Sequence, residues 1–212
     1  MAMVGVGSLM DLRVLFTFLL QRKLKYRVGT ERTRGDGSCF LHMLIQNMKH
    51  FGEIGLWTKS IPSSVHELRR DIIQFMEDHK KEYLGYYNDL GQFVNGSHDE
   101  KTFRILIEDQ AQKNSFTDEE GFFVQAACRY LEIELVIVLT SIQSAVIPSG
   151  LGGPVQRINA GDDKLKFCAG LIRNEQMRTG HYQWIYEDER GESEPFNMPA
   201  ENSTLLFNST GG

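Results

Sequence analysis

Cysteine is scarce in this chain of 212 residues, and its three copies, Cys39, Cys128 and Cys168, stand far apart. Such spacing gives neither a disulfide framework nor the paired pattern of a zinc site, so no metal and no cofactor are expected. A sparse, odd count also fits a reducing compartment. Positive charge is short as well: 23 Lys and Arg stand against 28 Asp and Glu, a net charge of −5. That balance argues against a nucleic-acid partner and against a basic membrane-surface protein. No apolar run is long enough to span a bilayer. The stretch from Met1 to Leu20 is broken by Asp11 and Arg13, and no basic residue precedes it as one would in a secretory leader. Repeats and low-complexity tracts are missing too. These absences leave a soluble chain of ordinary composition, expected in the cytoplasm and as a monomer, with length enough for one real core.

What is there centres on Gly35-Asp36-Gly37-Ser38-Cys39-Phe40. Two glycines and an aspartate make a turn whose backbone can come close to a ligand. Behind it Leu41, Leu44, Ile45 and Met48 recur at helical spacing, so Cys39 falls in the first turn of a buried helix. The unpaired amides and the dipole of that helix end favour thiolate over thiol. The turn's own N–H groups, at Asp36, Gly37 and Cys39, are candidates to receive the oxyanion of an acyl-transfer intermediate. The same residues also suit a plainer role, a glycine turn feeding a core helix with Cys39 as a small packed side chain. On the turn alone both readings stay open.

A nucleophilic cysteine needs a base, and Gly180-His181-Tyr182-Gln183-Trp184-Ile185-Tyr186 offers one. The run reads as a strand after a glycine-containing loop. Alternate side chains on a strand share a face, which sets His181 and Gln183 about 7 Å apart on one side. Gln183 is then placed to orient the imidazole, while Tyr182, Trp184 and Tyr186 face the other way and pack. His42, three residues beyond Cys39, is a second histidine within reach. Carried on the nucleophile's own helix, its ring is expected to lie along the helix towards the core stripe, so a base from a facing strand is preferred.

Together these segments resemble the ovarian tumour (OTU) domain family of cysteine proteases. The resemblance covers roughly Arg32 to Tyr186 and rests on Gly35-Asp36-Gly37-Ser38-Cys39-Phe40, on the late His181-Tyr182, and on a helix that runs from Glu119 into the apolar strand ending at Leu139. It implies an α+β, papain-like fold with a small mixed or antiparallel central sheet flanked by helices. It further implies a thiol-dependent hydrolase cleaving ubiquitin, polyubiquitin or a ubiquitin-like modifier from its conjugates. Carried over residue by residue, Cys39 is the nucleophile, His181 the base and Asp36 part of the catalytic loop. One departure stands: the position two after the histidine is usually Asp or Asn in the family, and here it is Gln183. A neutral amide oxygen can orient the ring but stabilises imidazolium less than a carboxylate, so the third member is Gln183, Asp36 or neither. A papain-type protease is the nearest rival, yet Glu31-Arg32-Thr33-Arg34 offers no glutamine before the turn. A ubiquitin-binding pseudoenzyme is the other alternative, suggested only by Gln183.

Along the chain, residues 1–30 read as a helical extension, 31–190 as the catalytic domain, and 191–212 as an acidic and polar tail expected to be poorly ordered. In the extension an amphipathic helix from Leu9 to about Gln21 carries Leu12, Leu15, Phe16 and Leu19 on one face. Arg22, Lys23, Lys25, Arg27, Arg32 and Arg34 follow as a basic approach. Ser64 and Glu67 stand in capping-box spacing before a helix with Leu68, Ile72, Phe75 and Met76 inward and His66 and His79 on its polar face. Tyr83 to Tyr87 and Asp99 to Ala111 suggest further helical pieces, and Asn95-Gly96-Ser97 a turn. Thr117 to Glu120 starts the helix that leads into Ile133–Leu139, a nearly continuous apolar run suited to a central strand. Residues 141–163 read as a long loop or as a hairpin of Ala145–Ile147 with Val155–Ile158. Lys164 to Ile172 is the next strand, and Cys128 and Cys168 are expected to be inert packing residues.

Overall fold

The computed structural model describes residues 15, 18–19, 25–82, 122–141, 155–174 and 179–188. The run Ile133–Leu139 becomes the heart of strand β2 (Ile133–Ser141), and all its residues are buried. A strand is apolar on both faces only when both faces are covered. On one side Leu135, Ile137 and Leu139 pack with helices α1 (Cys39–Glu53), α2 (Val65–Asp78) and α3 (Phe122–Leu131). On the other, Val136 and Val138 meet Leu15, Leu19 and Tyr26. Leu15, Phe18 and Leu19 are helical, as the sequence predicts for that stretch, while Leu12 and Phe16 lie outside the described residues. Gly170 makes the second layer close-fitting, since a Cβ there would come within 2.6 Å of Leu15 Cδ2.

Strands β1 (Tyr26–Val28), β3 (Val155–Ile158), β4 (Leu165–Asn174) and β5 (Thr179–Glu187) complete a five-stranded sheet in the order β1-β5-β4-β2-β3. Only β2 and β4 run parallel, from Ile133↔Leu165 to Ser141↔Arg173, and the other pairs are antiparallel. The sheet is thus mixed and flanked by helices, the α+β architecture expected. Val155–Ile158 is a strand and pairs with Leu135–Val138 of β2, while Ala145–Ile147 lies outside the described residues. One expectation changes. Tyr26–Val28, placed by the sequence in an extension, is an edge strand on β5, tied there by the Lys25–Glu187 ion pair and by Arg27–Asp188 at 3.5 Å.

Helix α2 starts as its sequence requires. Ser64 Oγ accepts from Glu67 N at 3.2 Å, and Glu67 Oε2 accepts from Ser63 N at 2.7 Å. Leu68, Ile72 and Met76 are buried, Phe75 is packed against the same core, and His66 and His79 are exposed. Helix α1 is buried on more than a stripe, including Phe40, Met43 and the polar Asn47. The expected pieces at 83–87 and 99–111, the turn at 95–97, the helix start at 117–120 and the tail beyond 188 fall outside the described residues.

Candidate active site

The turn before α1 is built by its own polar groups. Asp36 Oδ1 accepts from Ser38 N at 2.9 Å, a bond that short acidic side chains make to the backbone two residues on. Gly37 has φ +86°, a left-handed conformation that a side chain would strain. Ser38 is the N-cap of α1, yet its hydroxyl does not cap the helix; it accepts instead from Arg69 Nη2 of α2 at 2.8 Å. Its carbonyl takes the first helical bond, from His42 N at 3.0 Å. Cys39, half-buried, is the first residue of the helix that follows.

Strand β5 passes beside that thiol. Tyr182 N–H donates to Cys39 Sγ at 3.5 Å, across 143 residues of sequence, and the Phe40 and Tyr182 rings meet edge-on at 5.1 Å. His181, half-buried, is the residue immediately before Tyr182 in the strand. Tyr182, Trp184 and Tyr186 pack into the helix-side core as expected. Ile185 belongs to the opposite layer, so by alternation His181 and Gln183 share its face. Hence the structure brings the Cys39 turn and the His181 strand together.

The thiol itself departs from expectation. Burial pushes Cys39 up, and the N–H groups of Tyr182, Phe40 and Cys39 itself oppose that without overcoming it, while the Asp36 charge adds to the rise. The helix end favours thiolate, but desolvation is the larger effect.

Two other residues sit differently from the sequence reading. His42 does not lie along the core stripe: its Nε2 is 2.9 Å from Asp36 Oδ2. Side chains in a helix lean towards its N-terminus, so a histidine in the first turn reaches back over the turn before it. Burial pushes the Asp36 carboxyl up, but the bonds from His42 and from Ser38 N outweigh it and hold it below its ordinary value. Gln183 is fully buried. Its Nε2 donates to Glu31 O and Trp184 O, each at 3.2 Å, and its Oε1 accepts from Thr33 N at 3.2 Å. Trp184 N donates to Thr33 Oγ1 at 3.0 Å, so the segment Glu31–Thr33 is stitched to β5 just ahead of the Cys39 turn. Gln183 therefore has a structural task that the alternation argument did not foresee. Ser38 N–H, which is not among the expected oxyanion donors, is taken by Asp36.

Arg69 was not singled out by sequence, because it borders the apolar stripe of α2 as any exposed arginine does. It is nonetheless 6% exposed. Among the described residues no group of three His, Cys, Asp or Glu is arranged to hold a metal ion, and no helix is long and apolar enough to cross a membrane.

Neither a protein-family model nor a curated protein sequence matches the chain. Among solved structures the chain is similar to an OTU deubiquitinase from Wolbachia pipientis wMel, with TM-score 0.44, 16% identity, and 80% of this chain and 93% of that one covered. It is likewise similar to the OTU domain of OTUD1, with TM-score 0.49, 15% identity, and 84% of this chain and 96% of that one covered.

Proposed function

We propose that the protein is an OTU-type cysteine protease that hydrolyses the bond after the C-terminal glycine of ubiquitin or a ubiquitin-like modifier. One observation carries the reading: Tyr182 N–H meets Cys39 Sγ, so the strand bearing His181 runs past a cysteine at a helix N-terminus. The Asp-Gly-Ser-Cys turn supplies the rest. The protein acts as a cytosolic monomer and needs no cofactor.

In this mechanism His181 takes the Cys39 proton as the sulfur attacks the glycine carbonyl carbon. The carbonyl oxygen becomes an oxyanion, received by the N–H groups of Asp36, Gly37 and Cys39. Collapse breaks the C–N bond, and the imidazolium returns its proton to the departing lysine amine. A thioester remains on Cys39. Water then attacks it, His181 accepts the water's proton, and the thiol leaves with a proton while the modifier's carboxylate is released. Asp36 holds the turn, and Gln183, bonded to Thr33, Glu31 and Trp184, fixes the strand that carries His181.

A second reading makes His42 the base, favoured by its 2.9 Å pairing with Asp36 one turn from Cys39. Incubation with a panel of diubiquitins and with ubiquitin bearing a C-terminal electrophile tests the function common to both. The expected outcome is monoubiquitin from at least one linkage and a covalent adduct on Cys39. No cleavage of any linkage and no adduct would reject it.

A further inference from the structure

Ser38, the residue before the nucleophile, is held by all three of its polar groups: its N–H by Asp36, its carbonyl by His42 N, and its hydroxyl by Arg69. The first two partners belong to the turn and its own helix. Arg69 alone comes from another element, and both it and Ser38 are buried, at 6% and 4% exposure. A buried guanidinium is costly unless something requires it there. Nothing in the mechanism above uses it.

We propose that Arg69 is a positioning residue for Cys39, its guanidinium reaching from α2 to lock Ser38 and to face the Asp36 carboxylate across the catalytic turn. This rests on the reading of Cys39 as a nucleophile. The oxyanion donors lie on both sides of Ser38, so a turn that rocks on its hydroxyl moves them all. A displacement of about 1 Å in such a group can cost about 10²-fold in rate. Charge enters as well. Asp36 opposes the thiolate of Cys39, and it also acts on Arg69, whose own proton affinity falls chiefly through burial. Among the described residues, the charged and titratable groups around the turn include Asp36 within it, Arg34 just ahead of it, His42 on α1, Arg69 on α2 and His181 on β5.

The test uses the full chain and two readouts: the pH dependence of Cys39 alkylation by iodoacetamide, followed by peptide mass, and kcat and KM on a fluorogenic ubiquitin C-terminal amide. Arg69→Gln should move the alkylation midpoint upwards. Ser38→Ala, which deletes one hydroxyl, should lower kcat about 10- to 100-fold with KM little changed. Arg70→Gln is the control, because Arg70 is exposed and pairs with Asp71. A folded Arg69→Gln protein with the wild-type midpoint, or a Ser38→Ala protein with wild-type kcat, overturns the proposal. Should Arg69→Gln fail to fold, Ser38→Ala decides. A wild type that leaves the ubiquitin amide intact rejects the proposed function instead, while the alkylation profile still judges Arg69.

Discussion

Cys39 and Cys168 are both held by α1, which carries the first in its opening turn and reaches the second from its middle. There Asn47 Nδ2 donates to Cys168 O at 3.3 Å, and Asn47 Oδ1 accepts from Cys168 N at 3.1 Å. Burial pushes both thiols up. What differs is everything else around the sulfur. Cys39 Sγ receives backbone N–H groups from its own turn and from β5. Cys168 lies in the layer of Leu15, Leu19, Ile172 and Ile185, and is pushed to about 12 by burial, with the Glu187 charge adding to the rise. Desolvation sets the starting point of a buried thiol, and directed amides then distinguish the surroundings of Cys39 from those of Cys168.

The sharpest test of that contrast is chemical. Cys39→Ala should abolish adduct formation with a ubiquitin C-terminal electrophile, whereas Cys128→Ala and Cys168→Ala should keep it. Equal labelling of wild type and Cys39→Ala would erase the distinction. Next come the two histidines near Cys39. His181→Ala should lower kcat/KM by about 10²–10⁴-fold, the range for a positioned proton transfer. His42→Ala, which loosens the turn but leaves the base, should cost about tenfold. The reverse order in well-folded proteins would hand the base to His42.

On the Cys168 side the effects are on stability. Leu15→Ala removes a side chain lying flat on Gly170 and should destabilise by about 2–5 kcal/mol, with faster alkylation of Cys168 as the second layer opens. Asn47→Ala orphans buried backbone groups and should cost about 1–3 kcal/mol in denaturant titration. The smallest effect is on pH. The folded thiol of Cys168 titrates above its ordinary value of 9.0, at about 12. Its contribution to stability is therefore complete below 9.0 and is lost as pH rises towards 12. Tyr26, also pushed to about 12 chiefly by burial, shares that alkaline decline. Cys168→Ala should therefore flatten only part of the fall in melting temperature, and an unchanged slope would contradict the assignment.

Much of this was written in periodicity. The apolar run of β2, the stripe of α1 and the Ser64 cap of α2 are local signals, and each element formed where its residues asked for it. The Cys39 turn was legible for the same reason, and His181 through its aromatic strand. Tyr26–Val28 was not, because three residues are too few to show alternation and β1 exists only by pairing with β5. Asn47, Arg69 and the bonds of Gln183 to Glu31 and Thr33 were missed as a class. Each of the three residues is a buried polar side chain whose partner lies on a distant segment, and no spacing within its own element announces that partner. His42 was misdirected because helix periodicity gives a face but not the backward lean of the first turn.

The sheet order carries a consequence for biosynthesis. The strand bearing His181 is the last described in sequence, yet it lies between β1, the first, and β4. A chain emerging from the ribosome exposes Cys39 long before β5 exists, and until then the thiol lacks the Tyr182 amide and the histidine beside it. Synthesis itself thus acts as a timer: an incomplete chain holds a cysteine without those neighbours, and the site is complete only when β5 slots into the gap.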